Sequence, residues 1–422
     1  MAPHTPRGSD RPPGSADDTP SARTSVDVHA ARVDAALEPL RSRALESVEL
    51  ADALGRVTFD DVRSPIDLPP FRNSQMDGYA VRAADVASAP VSLPVVGEVA
   101  AAPGAPAALR PGTAVKIMTG APVPEGADAI VPVEDTLAAN ESVSISRGRD
   151  VGEYVREPGS DLRAGQAIVP WRTRLASRHL AALAAAGITD VEVIERVRIA
   201  VISTGSELVA PGEPLGPGQI PDSNGVALTA AAQAVGADVV LRARGHDDPL
   251  KLAALFDEAV ALGAELILTS GGVSMGDHEV VRDLLEPLGA VVDVLAMQPG
   301  GPQALASWPG PEGAGSVPVV CFPGNPVSSQ LSFELFVAPV LREIAGLPVA
   351  RRETRVLDSA VRSIPGRRQF LRGRRTADGG VTTVAGPSSH LVAALAASDV
   401  LIVIPEDVTE LGAGESVETW EL

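Results

Sequence analysis

Residues 197–344 alternate short apolar runs with longer, alanine-rich amphipathic segments. The apolar runs have the length of strands, and the segments between them have the length of helices. Strands buried on both faces that alternate with helices predict a parallel sheet with right-handed crossovers. The predicted strands are 197–203, 239–244, 265–269 and 317–322, and the predicted helices are 226–235, 249–262, 279–288 and 326–344.

On both sides of this α/β region, short apolar runs are separated by proline and glycine. Upstream, such runs predict a β-rich module within residues 63–164. A helical pattern precedes it, in which Val33, Leu37 and Leu40 share one face. Downstream, residues 352–422 predict a small closed or nearly closed β module. Further strands are predicted at 91–99, 114–118, 129–133, 143–146, 191–194, 381–385 and 400–404, and further helices at 50–57 and 180–186.

The 422-residue chain carries a formal net charge of −19. This charge argues against general nucleic-acid binding and against adhesion to anionic membranes, since both need a basic surface. An anionic ligand would depend on arginine, because Lys116 and Lys251 are the only lysines. Cys321, the single cysteine, lies in an apolar run and is predicted to be a buried core thiol. Residues 1–27 have the composition of a disordered tail without a signal segment, and no apolar run is long enough to span a membrane, so a cytoplasmic location is expected.

Three predicted strand ends in the α/β region carry glycine together with small polar residues. Ligands of open α/β sheets bind outside the carboxyl ends of the strands, where backbone amides can contact a phosphate or another anion. One such loop could be an ordinary turn, in which glycine and proline are common. Three such loops at one edge of the predicted sheet favour a ligand site. The sequence contains neither a P-loop lysine motif nor a G-x-G-x-x-G string after a strand. The predicted anion-binding residues are Ser203, Thr204, Gly205, Ser270, Gly271, Gly272, Ser274, Pro323, Gly324 and Asn325.

Acidic residues recur near the same predicted edge: Glu207, Asp247, Asp248, Asp277 and Glu279. Carboxylates opposite anion-binding loops need a cation, and magnesium held by one or two carboxylates and substrate oxygens is the obvious candidate. Each residue alone could instead be a solvated charge or a helix cap. An N-cap suits Asp247 and Asp248, because Pro249 follows them and proline is common in the first turn of a helix. The histidines lack zinc-ligand spacing. Residues 272–276 also match the short G-x-S-x-G pattern, which keeps a hydrolase as a weaker alternative.

Five strings in the chain resemble the MoeA and gephyrin E-domain family of molybdopterin molybdenumtransferases. Two of them precede the α/β region, at residues 69–82 (PPFRNSQMDGYAVR) and 116–129 (KIMTGAPVPEGADA). The other three are residues 203–208, 270–276 and 323–328. They occur in the order of the family, and the resemblance extends from about His29 to the C-terminus.

The resemblance implies a multidomain α/β and β fold, and a homodimer whose active site uses both subunits. After the tail, an elongated domain would comprise residues 28–63 and 164–195. A β-rich domain, 64–163, would be inserted between these segments. A molybdopterin-binding α/β domain would span residues 196–348, and a C-terminal β-barrel would span residues 349–422.

The resemblance also implies a reaction between molybdate and adenylylated molybdopterin, in which magnesium-dependent cleavage releases AMP. Asp247 and Glu279 would be magnesium ligands. Arg372 and Ser389 would line the molybdate site, and the planar set of N–H donors of an arginine suits an oxyanion. Transient contacts with the pterin adenylyltransferase and with apo-molybdoenzymes are implied as well. The residues implied to be catalytic are Asp77, Thr119, Asp161, Glu207 and Asp247.

The chain departs from the family pattern at two places. Glu279 stands where the family often has aspartate. Residues 298–302, QPGGP, replace a K-P-G-K-P string, so Gln298 and Gly301 remove two cations from the implied oxyanion site. Two alternatives therefore stay open. One is a molybdopterin adenylyltransferase, which shares the α/β domain, although a shared fold alone does not carry function. The other is a non-catalytic scaffold of the gephyrin type.

Overall fold

The computed structural model describes residues 23–273, 279–310 and 315–422. The chain forms two compact units. The first unit contains the residues up to 42, residues 197–344 and residues 348–422, and the second contains residues 43–196 and 345–347. Within the described ranges, no helix combines the length and the apolar character needed to cross a bilayer.

In the first unit, helix α1 (Val26–Leu37) is followed by a 3-10 turn (Glu38–Arg41). Its predicted apolar face is confirmed, because Val33, Leu37 and Leu40 are all buried.

The disordered tail predicted for residues 1–27 does not extend to Asp27, because residues 24–27 are ordered. The Thr24 N–H donates to the carbonyl of Val294 at 3.1 Å, and the Thr24 carbonyl accepts the N–H of Ala296 at 2.8 Å. The next residues begin α1, whose first residue, Val26, is buried. The backbone hydrogen bonds of Thr24 and the burial of Val26 therefore order a segment whose composition is polar.

The second unit consists mainly of short strands, as its sequence pattern predicts. Its helices are α2 (Ala83–Val86) and α3 (Ser177–Ala185), with 3-10 turns at Leu50–Asp52 and Val133–Asp135. Its strands are β1 (Leu45–Glu49), β2 (Val62–Arg63), β3 (Asn73–Ser74), β4 (Gly78–Val81), β5 (Val91–Val99), β6 (Ala114–Ile117), β7 (Ala129–Pro132), β8 (Thr136–Ala139), β9 (Ser142–Ile145), β10 (Val155–Arg156), β11 (Ala167–Val169) and β12 (Asp190–Ile194).

Six of these strands form one sheet in the order β7-β4-β6-β5-β9-β8, and β1–β12, β2–β11 and β3–β10 form two-stranded ribbons. Strand β4 alternates between two cores, as the period of a strand requires. Tyr79 and Val81 face one apolar cluster, and Ala80 faces the other. The sheet thus has a core on each face.

The helix predicted at residues 50–57 is wrong. Only a 3-10 turn forms there, after β1. Distant partners override the local helix propensity. The Leu50 N–H donates to the Thr189 carbonyl at 2.7 Å, and the Gly55 N–H donates to the Leu175 carbonyl at 2.8 Å. Gly55 then takes a positive φ of 76° and turns the chain.

The α/β part of the first unit matches the predicted alternation of strands and helices. Its helices are α4 (Asn224–Ala234), α5 (Pro249–Ala261), α6 (Val280–Leu285), α7 (Pro326–Ser332) and α8 (Ala338–Ile344), with a 3-10 turn at Glu286–Leu288 and a π-helical segment at Phe333–Val337. Its strands are β13 (Arg198–Thr204), β14 (Leu208–Val209), β15 (Ile220–Pro221), β16 (Asp238–Gly245), β17 (Leu266–Ser270), β18 (Val291–Val294), β19 (Met297–Gln298), β20 (Pro302–Pro309) and β21 (Ser316–Phe322).

The main sheet has the order β16-β13-β17-β21-β20-β18. The four predicted strands, β16, β13, β17 and β21, are parallel, as expected. Strands β20 and β18 were not predicted. Strand β20 pairs antiparallel with β21, and β18 pairs antiparallel with β20. The sequence of β20, PQALASWP, contains no β-branched residue and has proline at both ends, so it lacks the usual strand signal.

The C-terminal residues close into a barrel, which confirms the predicted β module. Helix α9 spans Val392–Ala396, and the strands are β22 (Arg352–Val356), β23 (Val361–Arg362), β24 (Arg368–Arg375), β25 (Val381–Thr383), β26 (Val400–Ile404), β27 (Glu410–Leu411) and β28 (Ser416–Glu421). Pairing runs from β25 through β24, β26 and β28 to β22. A bridge between Leu357 and Val381 then connects the two ends of this series.

Candidate functional site

The four parallel strands of the first unit end at one level. In the sheet register, Thr204 lies opposite Gly245, Ser203 opposite Ser270, and Ser270 opposite Phe322. The loops that follow these strands therefore leave the sheet at the same edge, where ligands of open α/β sheets bind.

Hydrogen bonds hold these loops against one another. The Gly205 N–H donates to the Gly245 carbonyl at 3.2 Å, and the Gly271 N–H donates to the Phe322 carbonyl at 3.0 Å. The Thr204 hydroxyl donates to the Ser270 carbonyl at 3.3 Å. These bonds fix the backbone at the strand ends before any ligand is present.

Glycine is required where the loops meet. Gly271 has a φ of 91°, and a Cβ atom there would lie 2.7 Å from the Thr204 carbonyl oxygen. Gly272 has a φ of 70°, and its Cβ atom would lie 2.6 Å from Cγ2 of Val281. A side chain at either position would strain the backbone and push the loops apart.

The loops border a cavity of about 1170 Å³, which we call the strand-end cleft. It is large enough for a nucleotide-sized ligand. Segments that are remote in the sequence are thus brought together around one space. The predicted site residues that line the strand-end cleft are Thr204, Gly205, Glu207, Asp247, Gly271, Gly272, Glu279, Pro323, Gly324, Asn325 and Ser389.

Two predicted anion-binding residues do not line the cleft. Ser203 and Ser270 are buried behind it, with their hydroxyl oxygens 3.4 Å apart. They lie at enclosed positions near the ends of β13 and β17, where the two hydroxyl groups bond to each other. Ser274 and Asp277, and with them the G-x-S-x-G string, lie outside the described residues. Burial raises the pKa of the Cys321 thiol to about 12, which agrees with a core position.

Three of the predicted carboxylates, those of Glu207, Asp247 and Glu279, are on the wall of the cleft. A backbone amide orients one of them, since Oδ2 of Asp247 accepts the N–H of Ser206 at 3.1 Å. Asp248 instead caps α5, where its Oδ1 accepts the N–H of Leu250 at 3.0 Å, as expected for an N-cap residue.

The oxygen donors of this wall suit magnesium, which prefers carboxylates. Within residues 23–273, 279–310 and 315–422, no three histidine, cysteine or acidic side chains form a complete metal site. A magnesium ion in the cleft would take its remaining ligands from substrate oxygens and water.

Asn224 is a cleft residue that the sequence analysis missed. Its Nδ2 donates to the Gly324 carbonyl at 2.8 Å, which fixes the orientation of the amide because a carbonyl oxygen can only accept. Its Oδ1 is buried and has no hydrogen-bond partner among the described residues. Asn-Gly usually indicates a turn, so this contact could not be predicted from the pattern.

Ser388 and His390 also line the cleft and were not predicted. The Ser388 Oγ and the His390 Nδ1 lie 2.8 Å apart. The loop that carries them is fastened to α7, because the carbonyl of Ser389 accepts the N–H of Val327 at 3.1 Å.

Arg372, predicted to bind an oxyanion, is 1% exposed on β24 and does not line the cleft. Its Nη2 donates to the carbonyl of Gly386, two residues before Ser388. Its Nε and Nη1 are buried and have no partner among the described residues. Burial lowers the pKa of this guanidinium. An arginine with unpaired donors next to a cleft wall is a costly arrangement unless an anion can reach it.

The family departure at residue 298 places a neutral side chain on the cleft wall. Gln298 lines the cleft, and its Oε1 accepts the Nε2–H of Gln369 at 3.1 Å. The Gly300 carbonyl accepts the Nε2–H of the buried Gln303 at 2.9 Å. This part of the wall therefore offers amide dipoles.

The other predicted catalytic residues lie on the second unit. Oδ1 of Asp77 accepts both the N–H of Thr119, at 2.6 Å, and its hydroxyl, at 2.8 Å. These two hydrogen bonds lower the pKa of the exposed Asp77 carboxyl. Asp161 is exposed, and its N–H donates to the carbonyl of Leu68 at 3.0 Å.

Three family models match successive parts of the chain. Residues 24–187 match the MoeA N-terminal region (domain I and II), residues 200–343 a probable molybdopterin binding domain, and residues 354–422 the MoeA C-terminal region (domain IV). Molybdopterin molybdenumtransferase 2 of Mycobacterium tuberculosis is 43% identical over 390 residues, which cover 89% of this chain and 95% of that relative. The chain belongs to the molybdopterin molybdenumtransferase family.

Other members of the molybdopterin molybdenumtransferase family match over similar lengths. The molybdopterin molybdenumtransferase of Synechococcus elongatus is 36% identical over 392 residues, which cover 90% of this chain and 95% of that protein. The crystal structure of the molybdopterin biosynthesis MoeA protein from Pyrococcus horikosii has a TM-score of 0.74 and 34% identity, and the match covers 92% of this chain and 98% of that one. The predicted family, fold class and transferase class are confirmed. The four domain boundaries and the individual site residues stay predictions.

Proposed function

We propose that this transferase inserts molybdenum, supplied as molybdate, into adenylylated molybdopterin in the cytoplasm, with magnesium-dependent release of AMP. The names of its relatives support molybdenum transfer to molybdopterin. The observation that carries the finer proposal is the strand-end cleft, where glycine-rich loops and three carboxylates border one cavity.

The phosphates of the substrate would lie against the glycine-rich walls. Gly272 and Gly324 present backbone without a side chain, so phosphate oxygens can approach closely. Asn224 would keep this wall in position through its bond to the Gly324 carbonyl.

The carboxylates would serve the cleavage of the phosphoanhydride. Asp247 and Glu279 would hold magnesium, which when bound neutralises and orients phosphate oxygens. Glu207 would accept the proton of an attacking water. The water oxygen bonds to phosphorus, the bridging P–O bond breaks, and the bridging oxygen leaves with the other phosphate. The Ser206 N–H would hold Asp247 in the orientation that this requires.

Molybdate would bind beside the 386–389 loop. Arg372 offers two unpaired nitrogen atoms there, and its fork of donors suits a tetrahedral oxyanion. The Gly386 carbonyl now accepts from this guanidinium, so the loop would have to shift when the anion enters. Ser389 and Gln298, both on the cleft wall, would add neutral contacts.

Asp77, Thr119 and Asp161 remain proposed catalytic residues of the second unit. The hydrogen bonds between Asp77 and Thr119 support a fixed, ionised carboxylate there. A homodimer with an active site that uses both subunits, and transient contacts with the pterin adenylyltransferase and with apo-molybdoenzymes, belong to the same proposal.

The test is AMP release from adenylylated molybdopterin by the full chain, with and without molybdate and magnesium. We expect release to need both ions and to fall by about 10²- to 10⁴-fold in Asp247→Ala, the usual range for a lost catalytic side chain. Asp407→Ala, an exposed aspartate in the barrel, is the matched control and should keep normal release. Absence of release under every condition contradicts the proposal and favours the scaffold. Consumption of ATP with bare molybdopterin favours the adenylyltransferase.

A further inference from the structure

A second cavity, of about 680 Å³, lies next to the strand-end cleft. Leu208 and Asp222 line both cavities. The loop after β13 separates them, since Gly205 and Glu207 line the cleft whereas Ser206 lines the second cavity. We call this second cavity the arginine groove, because Arg242 and Arg244 form part of its wall.

The two arginines occupy alternate positions of β16, which is the edge strand of the main sheet. Residues two apart on a strand point to the same face and lie about 6.5 Å apart. Both side chains are exposed. Across residues 23–273, 279–310 and 315–422, neither forms a hydrogen bond or an ion pair. The donors of both guanidinium groups are therefore available to a ligand.

The acidic residues of the groove are already occupied by backbone amides. Oε2 of Glu213 accepts the N–H of Ala210 at 3.1 Å. Oδ1 of the buried Asp222 accepts the N–H of Gly225 at 2.9 Å. These bonds hold the two carboxylates in place, and Arg242, Arg244 and the ring of His246 line the same groove.

Part of the remaining wall is apolar, and the polar side chain of Gln219 lies beside it. Leu208, Pro211 and Val226 line the groove, and Val226 is 43% exposed there. A ligand that fits both walls carries a dense negative charge at one end and an apolar or aromatic body at the other. The volume of the groove is in the range of small-molecule sites.

We propose that the arginine groove binds a phosphate monoester with an aromatic body, of the nucleoside monophosphate class. The two guanidinium groups would bind the phosphate through charge-assisted, bidentate hydrogen bonds, and the Ser206 hydroxyl would add a third donor. The apolar wall would cover the body of the ligand. This binding does not depend on the proposed reaction, because it uses the Ser206 hydroxyl and not the Ser206 N–H that orients Asp247, and none of the carboxylates assigned to catalysis or to magnesium.

The experiment is a calorimetric titration of the full chain with AMP, inorganic phosphate and adenosine. We expect AMP to bind, phosphate to bind more weakly, and adenosine not to bind at this site. In Arg242→Gln/Arg244→Gln, the affinity of one AMP site should fall roughly 10- to 100-fold, the usual cost of lost hydrogen bonds to a charged group. Arg242→Lys/Arg244→Lys keeps the positive charge but not the bidentate donors, so its affinity for AMP should lie between those of the unmodified chain and the glutamine variant.

Arg362→Gln is the control for removal of an arginine elsewhere, because it takes one positive charge from an exposed strand position of the barrel, where the double variant takes two from the groove. Its AMP binding should equal that of the unmodified chain, and circular dichroism should show that all variants are folded. Unchanged AMP binding in the double glutamine variant overturns the proposal. Equal losses in Arg362→Gln, or adenosine binding as tight as AMP binding, overturn it as well.

Discussion

Replacing Gly271 by alanine tests whether the cleft depends on the close approach of two strand ends. The new Cβ atom would lie 2.7 Å from the Thr204 carbonyl oxygen, closer than van der Waals contact permits. Its backbone would also have to keep a φ of 91°. The substitution therefore combines backbone strain with an overlap between atoms of β13 and the loop after β17.

The two contributions can be separated with Gly218, which lies in the same unit. Gly218 has a φ of 78°, and no atom lies within 4 Å of the position of its Cβ. Gly218→Ala should therefore cost the strain alone, about 1–2 kcal/mol. Gly271→Ala should cost this strain and a further 1–3 kcal/mol or so for overpacking.

Hydrogen–deuterium exchange of the β17 amides, read by mass spectrometry, measures this difference locally. We expect exchange in Gly271→Ala to be faster than in Gly218→Ala by about 5- to 150-fold, since 1.4 kcal/mol is tenfold in an equilibrium constant. Equal exchange rates in the two variants would refute the reasoning, because the contact with Thr204 would then contribute nothing beyond the strain.

Two further predictions concern ionisable side chains. Burial lowers the pKa of His29 more than its contact with Asp293 raises it, so the unfolded chain takes up the proton first as the pH falls below about 6.5. The free energy of unfolding should then decrease by up to about 1.4 kcal/mol per pH unit, and His29→Gln should lose this slope in urea titrations between pH 7.5 and 5. Thr119→Val removes one of the donors to Asp77, so an NMR titration should find the pKa of that carboxyl higher than in the unmodified chain. An unchanged Asp77 titration would contradict this second prediction.

The sequence predicted the elements whose signal is local. Strand β13 and its parallel neighbours are largely apolar runs, and each end of their predicted bounds differs from the observed one by at most one residue. The pattern failed where a distant partner decides the structure. Residues 45–49 become a strand because β12 pairs with them, and β20 lies between β21 and β18 without any β-branched residue.

The same distinction explains which site residues could be predicted. Gly205, Gly271 and Gly324 follow apolar strands directly, so their place at one edge follows from the alternation of strands and helices. Asn224 could not be predicted, because its partner Gly324 is 100 residues away. Ser388 reaches the cleft only because the loop after β25 is fastened to α7.

In the proposed molybdate site, Arg372 would let an acidic chain recognise an oxyanion without the two lysines of the family string. A solvated lysine binds an anion at the expense of its own hydration, and mobile ions screen it. The Arg372 guanidinium is already buried in the folded chain, and among its nitrogen atoms only Nη2 has a hydrogen-bond partner among the described residues. The desolvation cost has thus been met during folding, so an anion that displaced the Gly386 carbonyl would gain hydrogen bonds without a second such cost on the protein side. In the proposed site, one buried guanidinium would in this way replace some of the charge that the family string K-P-G-K-P would supply.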